Sequence, residues 1–402
     1  MIVLKILIIA PFFYPEIGSA SNRLKNIYLA LKEKGYEPTI VTTEPNYPNR
    51  NLYKDDSFWN EDIIGKEVVR IELTVRKYTS NIFKRLLYYS EMMFKFVFFT
   101  FKIKKDYEAV FVSSPPIFIG LAGVLAKRRL KTTLILDIRD LWPETLIGIQ
   151  KLHNRIFLKM AYALERFLYR KADKIIVNSE PFADYMVDKK IPKAKITFIP
   201  NSLTDSELNL ACLPPHHNKS QQAEIKVLYA GNVGLAQDMD TLIKIAAKLK
   251  HQQIKFEVIG YGFLINDMRE KIADLGLDNI DIFPARNREE TFEIIAKADM
   301  VYVTLKDSDV FKTVLPGKVV DYMGLGKAIV ANVSGYCGDI IKAAECGYIS
   351  EDGNLDELCG YILTLAGSIS LRNKLGKNGN NYARQNFSWS VNLKALFDIL
   401  EK

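Results

Sequence analysis

Short apolar runs alternate with longer amphipathic stretches along this chain, and the pattern runs twice. IVLKILIIA opens it, a helix over residues 22–34 ends at Gly35, and PTIVTT, AVFVSS, TTLILDI, KIIVNS and ITFIP follow, with amphipathic stretches between some of them. Near-continuous Val/Ile/Leu runs belong to strands buried on both faces, and their alternation with helices is what a mainly parallel, helix-covered sheet requires. A polar stretch, LPPHHNKSQQAE, then interrupts; it has two prolines and no apolar periodicity, and reads as a linker or exposed loop. The pattern restarts with IKVLYAGNVG, KFEVIGYG, IDIFPA, DMVYVTL and KAIVANV. The expectation is an α/β chain of two Rossmann-like domains, 1–205 and 225–380, joined by a linker at 206–224, with a helical segment at 381–402 packing back on the first domain. A chain of 402 residues is long enough for both. Ligands bind outside the carboxyl ends of parallel strands, and tandem α/β domains make the cleft between them the default site. The residues just after strands are therefore the ones to read.

Composition narrows the class. With 48% hydrophobic and 25% charged residues the chain is globular. Cys212, Cys337, Cys346 and Cys359 form no CxxC pair and no Cys/His zinc spacing, and read as reduced thiols of a cytosolic protein. The opening run lacks a basic n-region and a small-residue cleavage site, so a buried strand fits better than a secretory signal. Residues 86–103 are interrupted by Glu91, Lys95 and Lys102 and fall short of the roughly 18 uninterrupted apolar residues a spanning helix needs. A net charge of +8 fits nucleic acid, an anionic membrane face or a polyanionic small molecule. No zinc finger, RNP-type strand or Arg-rich tract is present, which weighs against nucleic acid.

Five segments follow strands. PFFYPEIGSASNRL carries a small-residue turn at Gly18, Ser19 and Ala20 that opens a helix, where backbone N–H groups are open to a ligand; a plain strand–helix turn explains it equally. LDIRDLWPET delivers Asp137, Arg139, Asp140 and Glu144 at a buried strand end, either for use or as an Arg–Asp pair stiffening the loop. YAGNVGLAQDMDTL has Gly231 and Gly234 around a strand-to-helix turn suited to phosphate, but it is not GxGxxG and no acidic residue ends the next strand as a dinucleotide site requires. VIGYGF repeats the theme with Gly260, Tyr261 and Gly262. TVLPGKVVDYMGLGKAIVANVSG places Leu315, Pro316, Gly317 and Lys318 at a helix start, a cradle for a diphosphate, with Asp321 one turn on where a carboxylate accepts from ribose hydroxyls. Singly, Lys318 reads as a solvated helix-start lysine and Asp321 as a carboxylate complementing the helix dipole. The DSD at 307–309 reads as a solvated loop rather than a metal site.

In this order, these segments resemble the GT-B fold glycosyltransferases of family 4 over nearly the whole chain, most of all the bacterial surface-polysaccharide subgroup that includes N-acetylfucosaminyl transferases. DIRDLWPE, GNVGLAQ and VLPGKVVDYMGLGK carry most of the resemblance. It implies a retaining, metal-independent enzyme with no cofactor, a UDP-sugar in the C-terminal domain and a polyprenyl-diphosphate-linked saccharide in the N-terminal one. By position, Gly18 and Ser19 lie near the donor phosphates and acceptor, Gly260, Tyr261, Gly262 and Arg286 near the base, Asp321 at the ribose, and Leu315 to Lys318 along the sugar and diphosphate. Three positions depart from the pattern. Thr313 stands where the first acid of E-x7-E falls, Asn232 and Gln237 where many relatives have an Arg/Lys diphosphate clamp, and Arg139 near the usual histidine.

On this reading Lys318 and the helix behind it stabilise the leaving diphosphate, while Arg139 and Asp140 orient or deprotonate the acceptor. Residues 82–105, IFKRLLYYSEMMFKFVFFTFKIKK, place Lys84, Glu91, Lys95 and Lys102 on one helical stripe among aromatic and aliphatic residues. That fits a helix in a membrane interface beside anionic lipid, on the inner face of the cell membrane, or a buried domain helix with one wet stripe. Rival readings are a UDP-sugar 2-epimerase, a non-catalytic sugar-nucleotide-binding partner subunit and, least supported, a nicotinamide dehydrogenase.

Overall fold

The computed structural model describes residues 4–59, 63, 65–74, 82–103, 106–149, 154–212 and 224–401, the side chains of 82–84 and 212 excepted. The polar stretch at 213–223, the Lys84 side chain and the basic pair at 104–105 lie outside the described residues. Two compact units divide the chain: Met1–Pro200 with Leu393–Lys402, and Asn201–Asn392.

The first unit holds a seven-stranded sheet of order β3-β2-β1-β4-β5-β6-β7. Its strands are β1 (Lys5–Ile9), β2 (Glu37–Thr43), β3 (Val68–Ile71), β4 (Ala109–Ser114), β5 (Thr133–Ile138), β6 (Lys174–Val177) and β7 (Ile196–Phe198). Every pairing is parallel, with Ile6 opposite both Pro38 and Ala109. Central β1 and β4 are covered on both faces, and Ile6–Ile9 and all of β4 are buried. Helices α1 (Ser19–Glu33), α2 (Ile82–Lys102), α3 (Ile119–Leu130), α4 (Glu144–Gly148), α5 (Arg155–Lys171) and α6 (Glu180–Asp188) complete the unit. Right-handed crossovers put α2, α3 and α5 on one face of the sheet, and α3 packs between the other two.

The second unit repeats the plan with six parallel strands in the order β10-β9-β8-β11-β12-β13. They are β8 (Ile225–Asn232), β9 (Ile254–Tyr261), β10 (Ile280–Pro284), β11 (Met300–Thr304), β12 (Ile329–Asn332) and β13 (Gly347–Ser350). Around them lie α7 (Asp205–Asn209), α8 (Met239–Lys248), α9 (Ile265–Asp274), α10 (Arg288–Lys297), α11 (Gly317–Gly324), α12 (Tyr336–Ala343), α13 (Leu355–Ala366) and α14 (Ile369–Asn386). One core joins Val227, Val258, Met300 and Val330 of the strands to Leu242, Ile245, Leu358 and Ile362 of the helices. Each such side chain contributes about 1.5–3 kcal/mol by leaving water. In each sheet the chain reverses direction of growth beside the first strand, so the loops after β1 and β4, and after β8 and β11, splay apart where ligands bind in such sheets.

The architecture is the expected pair of Rossmann-like α/β units, with three local differences. β3 and β13 fall outside the strands expected from the sequence; both are sheet edges, half-buried or nearly so, and an edge strand needs no continuous apolar run. Residues 206–212, expected to open the linker, are helical, because Thr204 and Glu207 close a capping box on α7. The helix expected over 381–402 is broken. α14 ends at Asn386, buried Phe387 leaves helical geometry, Ser388 bridges to Leu203, and α15 (Trp389–Leu400) begins afresh. From Leu393 onward α15 belongs to the first unit, where the Tyr36 hydroxyl donates to Glu401 at 2.9 Å and the Tyr36 ring meets Phe397 edge-on.

Candidate active-site residues

In the second unit, Lys318 is the second residue of α11, behind Pro316 as N-cap and Gly317. The first amides of a helix have no intrahelical acceptor, so this terminus presents N–H groups and the positive end of the helix dipole. The Lys318 stem is half-buried, but Nζ is inaccessible and has no hydrogen-bond partner. It stands 3.7 Å above the Tyr229 ring, whose hydroxyl is turned to the Asn232 carbonyl at 2.6 Å. Burial lowers the Lys318 ammonium to about 7, with Asp321 and Cys337 pulling the other way. An unpartnered cation in such a place is costly for folding and is well suited to receive an anion.

The glycine loops show why they are there. Gly231 has φ +130°, a conformation that favours glycine, and a Cβ on it would lie in ordinary van der Waals contact with Lys318, 3.4 Å from Cε and 3.5 Å from Nζ. Gly260 and Gly262 act differently: a Cβ would stand 2.1 Å from the Gly231 carbonyl oxygen and 2.2 Å from that of Val233. They let the loop after β9 pack on the loop after β8, where the Val233 N–H donates to the Tyr261 carbonyl at 2.6 Å. Gln237 closes the same turn by accepting the Gly234 N–H at 2.9 Å. Asn232 lies against Gly234 and Gly262. Leu315 is buried, and the Thr313 hydroxyl donates to the Val310 carbonyl at 2.7 Å.

Asp321 lies one turn beyond Lys318 and does not stand alone. Arg288 Nη2 donates to its Oδ1 at 3.0 Å, and Arg288 Nε donates to Glu207 Oε1 at 2.5 Å. Burial opposes the Arg288 charge, yet Asp321 and Glu207 hold its pKa above the usual value; burial raises the Asp321 carboxyl despite Arg288. Glu207 Oε2 accepts the Thr204 N–H at 2.8 Å, which fixes that end of the triad. Arg286, expected beside the base, is exposed, and Arg288 two residues later is the arginine built into the structure. Glu207 falls in the stretch expected to be linker, and the linear sequence does not separate Arg288 from Arg286 two residues before it. The cue available was RNREE, an arginine just inside a helix capped by Asn287.

In the first unit, Gly18 (φ 127°) is the N-cap of α1, and both it and Ser19 are exposed. Asp137 is fully buried and pairs with Arg23 of α1: Nε and Nη2 donate to Oδ1 at 3.1 and 2.9 Å, while Nη1 donates to the Pro200 carbonyl at 2.9 Å. The Ser113 hydroxyl donates to Asp137 Oδ2 at 2.9 Å and accepts from Arg139 Nε at 3.0 Å, with Arg139 itself 3.7 Å from Asp137. The main partner of Asp137 is thus Arg23, and Arg139 is held at second hand. Burial lowers the Arg139 guanidinium to about 10, with Asp137 supporting its charge and Arg23 opposing it. Burial raises Asp140 to about 6 against the Thr145 hydroxyl, Arg139 and the Leu141 N–H. Glu144, also from this motif, accepts from the Tyr162 and Tyr185 hydroxyls at 2.9 and 3.1 Å. The loop before α1 is pinned by buried Glu16, whose Oε1 accepts the Asn46 and Tyr47 N–H groups, both at 2.8 Å.

Asp307 and Asp309 are paired with Lys312 at 3.1 and 3.6 Å. Among the described residues, no three His, Cys, Asp or Glu side chains gather as metal ligands would.

Comparison with known proteins fits this geometry. Residues 18–202 match the model of a glycosyl transferase 4-like domain, and residues 215–382 that of glycosyl transferases group 1. An uncharacterised glycosyltransferase of Methanocaldococcus jannaschii is 22% identical over 99% of this chain and 98% of its own length. A putative colanic acid biosynthesis glycosyl transferase of Escherichia coli is 21% identical over 83% of this chain and 84% of its own. The crystal structure of Anabaena HepE in complex with UDP and glucose superposes with a TM-score of 0.71 at 15% identity, over 99% of both chains. With a glycosyl transferase 4-like domain followed by a group 1 domain, each on its own parallel sheet, the chain belongs to the glycosyltransferases of the GT-B type.

Proposed function

We propose that the chain is a retaining, metal-independent glycosyltransferase. It moves a sugar, with an N-acetylated deoxyhexose as first choice, from a UDP-sugar to a polyprenyl-diphosphate-linked saccharide, as an N-acetylfucosaminyl-transferase-like enzyme of capsule or O-antigen synthesis. The observation that carries this reading is the Lys318 ammonium, buried and unpartnered at the head of α11 and fronted by Gly231. A nucleoside diphosphate supplies the anion that such a site lacks. Asp321, held through one oxygen by Arg288, keeps the other for the ribose hydroxyls. The UDP bound by HepE and the colanic acid role in the Escherichia coli relative's name point the same way.

In the reaction the bond from the anomeric carbon to the β-phosphate oxygen breaks and its electron pair leaves with UDP. Lys318 and the α11 amides hold the negative charge that builds there. The acceptor hydroxyl oxygen bonds to the same face of the anomeric carbon, and its proton passes to the departing phosphate. Arg139 and Asp140 orient that hydroxyl. A sugar-nucleotide-binding partner without turnover is the second reading, favoured by Thr313, which offers a hydroxyl already turned to Val310 where an acid would hold the donor sugar. Calorimetric titration with UDP, GDP and NAD, without added metal, tests the donor class: UDP alone is expected to bind, and binding of NAD alone overturns the reading.

A further inference from the structure

Among the described residues, the six most exposed large apolar side chains sit on two helices of the first unit. They are Leu87, Phe94, Phe98 and Phe101 on α2 and Ile156 and Met160 on α5, each 58–74% exposed. On α2 they fall at i, i+7, i+11 and i+14, a single stripe; on α5, Phe167 extends Ile156 and Met160 along one stripe as well. Exposed Leu125 lies on α3, the helix between them. This departs from the sequence expectation of a charged wet stripe on α2. Glu91 accepts the Thr74 N–H at 2.6 Å, Lys95 donates to the Glu72 carbonyl at 2.6 Å, and the two pair at 3.0 Å. The charges at these positions serve the chain after β3, and the outward stripe is apolar.

The same layer concentrates the charge of the molecule. α2, α3 and α5 carry twelve Lys and Arg against two acids, a net of +10 in a chain whose total is +8. Both acids are engaged, Glu91 as above and buried Glu165 with Lys189 at 2.5 Å. Cations stand beside the outward rings: Lys102 over Phe98 at 4.4 Å, Arg129 over Phe101 at 5.7 Å and Lys171 over Phe167 at 5.9 Å. Rings that enter the acyl boundary beside cations that stay with phosphate headgroups are what an anionic bilayer surface selects. A second copy of the chain would bring the same positive layer against itself, which like charge opposes.

We infer that α2, α3 and α5 form one docking face for an anionic lipid bilayer, with α5 an equal partner of α2. None of these helices is long and apolar enough to cross a membrane; the face lies on the surface. The test is flotation of the full chain with vesicles of phosphatidylcholine alone or with phosphatidylglycerol added. The wild type is expected to float with the anionic vesicles, much less with the neutral ones, and less as salt rises. Phe94→Ser with Phe98→Ser, and separately Ile156→Ser with Met160→Ser, are each expected to lower partitioning about tenfold or more. Their melting should be unchanged, since these side chains are exposed. Absence of wild-type flotation overturns the inference. So does an α5 double variant that floats like wild type, or a dimer in sedimentation that the α5 substitutions split, which would give the face to a second copy. No donor or acceptor enters the assay, so its failure and a failure of the transferase reading are separate results.

Discussion

Replacing Lys318 with Met should make the free protein more stable and its nucleotide binding weaker, a pair of opposite effects that a purely structural lysine would not give. Met keeps the stem that packs along Tyr229 and removes the inaccessible, unpartnered charge. The fall of the ammonium from 10.5 to about 7 corresponds to at most about 5 kcal/mol at full burial. The stem is only half-buried, and the Tyr229 ring returns up to about 2 kcal/mol to the cation, so a net gain of about 1–2 kcal/mol is expected. In a unit of this size that is a melting temperature about 2–8 °C higher. Because the folded value lies below the unfolded one, the unfolded chain holds more protons between about pH 7 and 10.5. The cost of Lys318 is therefore full below about pH 7, and the advantage of the variant shrinks as pH rises through that window. With UDP, losing one charge-assisted contact of about 1.5–3 kcal/mol raises Kd about 10- to 150-fold. Thermal melting without ligand and calorimetry with UDP measure both. A variant that binds UDP as the wild type does would refute the role given to Lys318.

Arg288→Gln should weaken UDP binding about tenfold, because Asp321 loses the group that fixes Oδ1, while Lys318 and the fold of α11 stay as they are; calorimetry reads it, and an unchanged Kd removes Arg288 from the site. Gly262→Ala should cost about 2–4 kcal/mol, since φ +141° and a carbonyl oxygen 2.2 Å away both reject a methyl group. Gly276→Ala, with φ +57° and open space, should cost only about 1 kcal/mol, and denaturant melts compare the two. Burial raises the Glu16 carboxyl from 4.5 to about 8, so the unfolded chain has fewer protons than the native one between those values and stability falls with rising pH there. Glu16→Gln keeps an acceptor for Asn46 and Tyr47, and should gain about 1–2 kcal/mol at pH 8 and nothing at pH 4 in melts across that range.

The buried strands were legible because central parallel strands are covered on both faces and carry apolar runs, ILII in β1, AVFV in β4, VLYA in β8 and MVYV in β11. The edges β3 and β13 carry no such runs and fall outside the expected strands. At the site, Lys318, Gly231 and the glycine loops were found by their place after strands. What the sequence could not supply was pairing over long separations. Asp137 meets Arg23 from 114 positions away, and Arg288 gathers Glu207 from 81 and Asp321 from 33. Arg286 and Arg288 are indistinguishable in a linear reading, and only the start of α10 turns one inward and leaves the other exposed. On α2, helical spacing located the charged stripe correctly, but not that the chain after β3 would engage it.

The most direct test of the transferase account is to incubate the purified chain with UDP-linked N-acetylated hexoses and deoxyhexoses and polyprenyl-diphosphate-linked saccharides, without added metal, and to determine the anomeric configuration of the product. The account predicts transfer with the donor's configuration retained and loss of that transfer in the Lys318→Met variant. An inverted product, or UDP binding with no transfer to any acceptor, would contradict it.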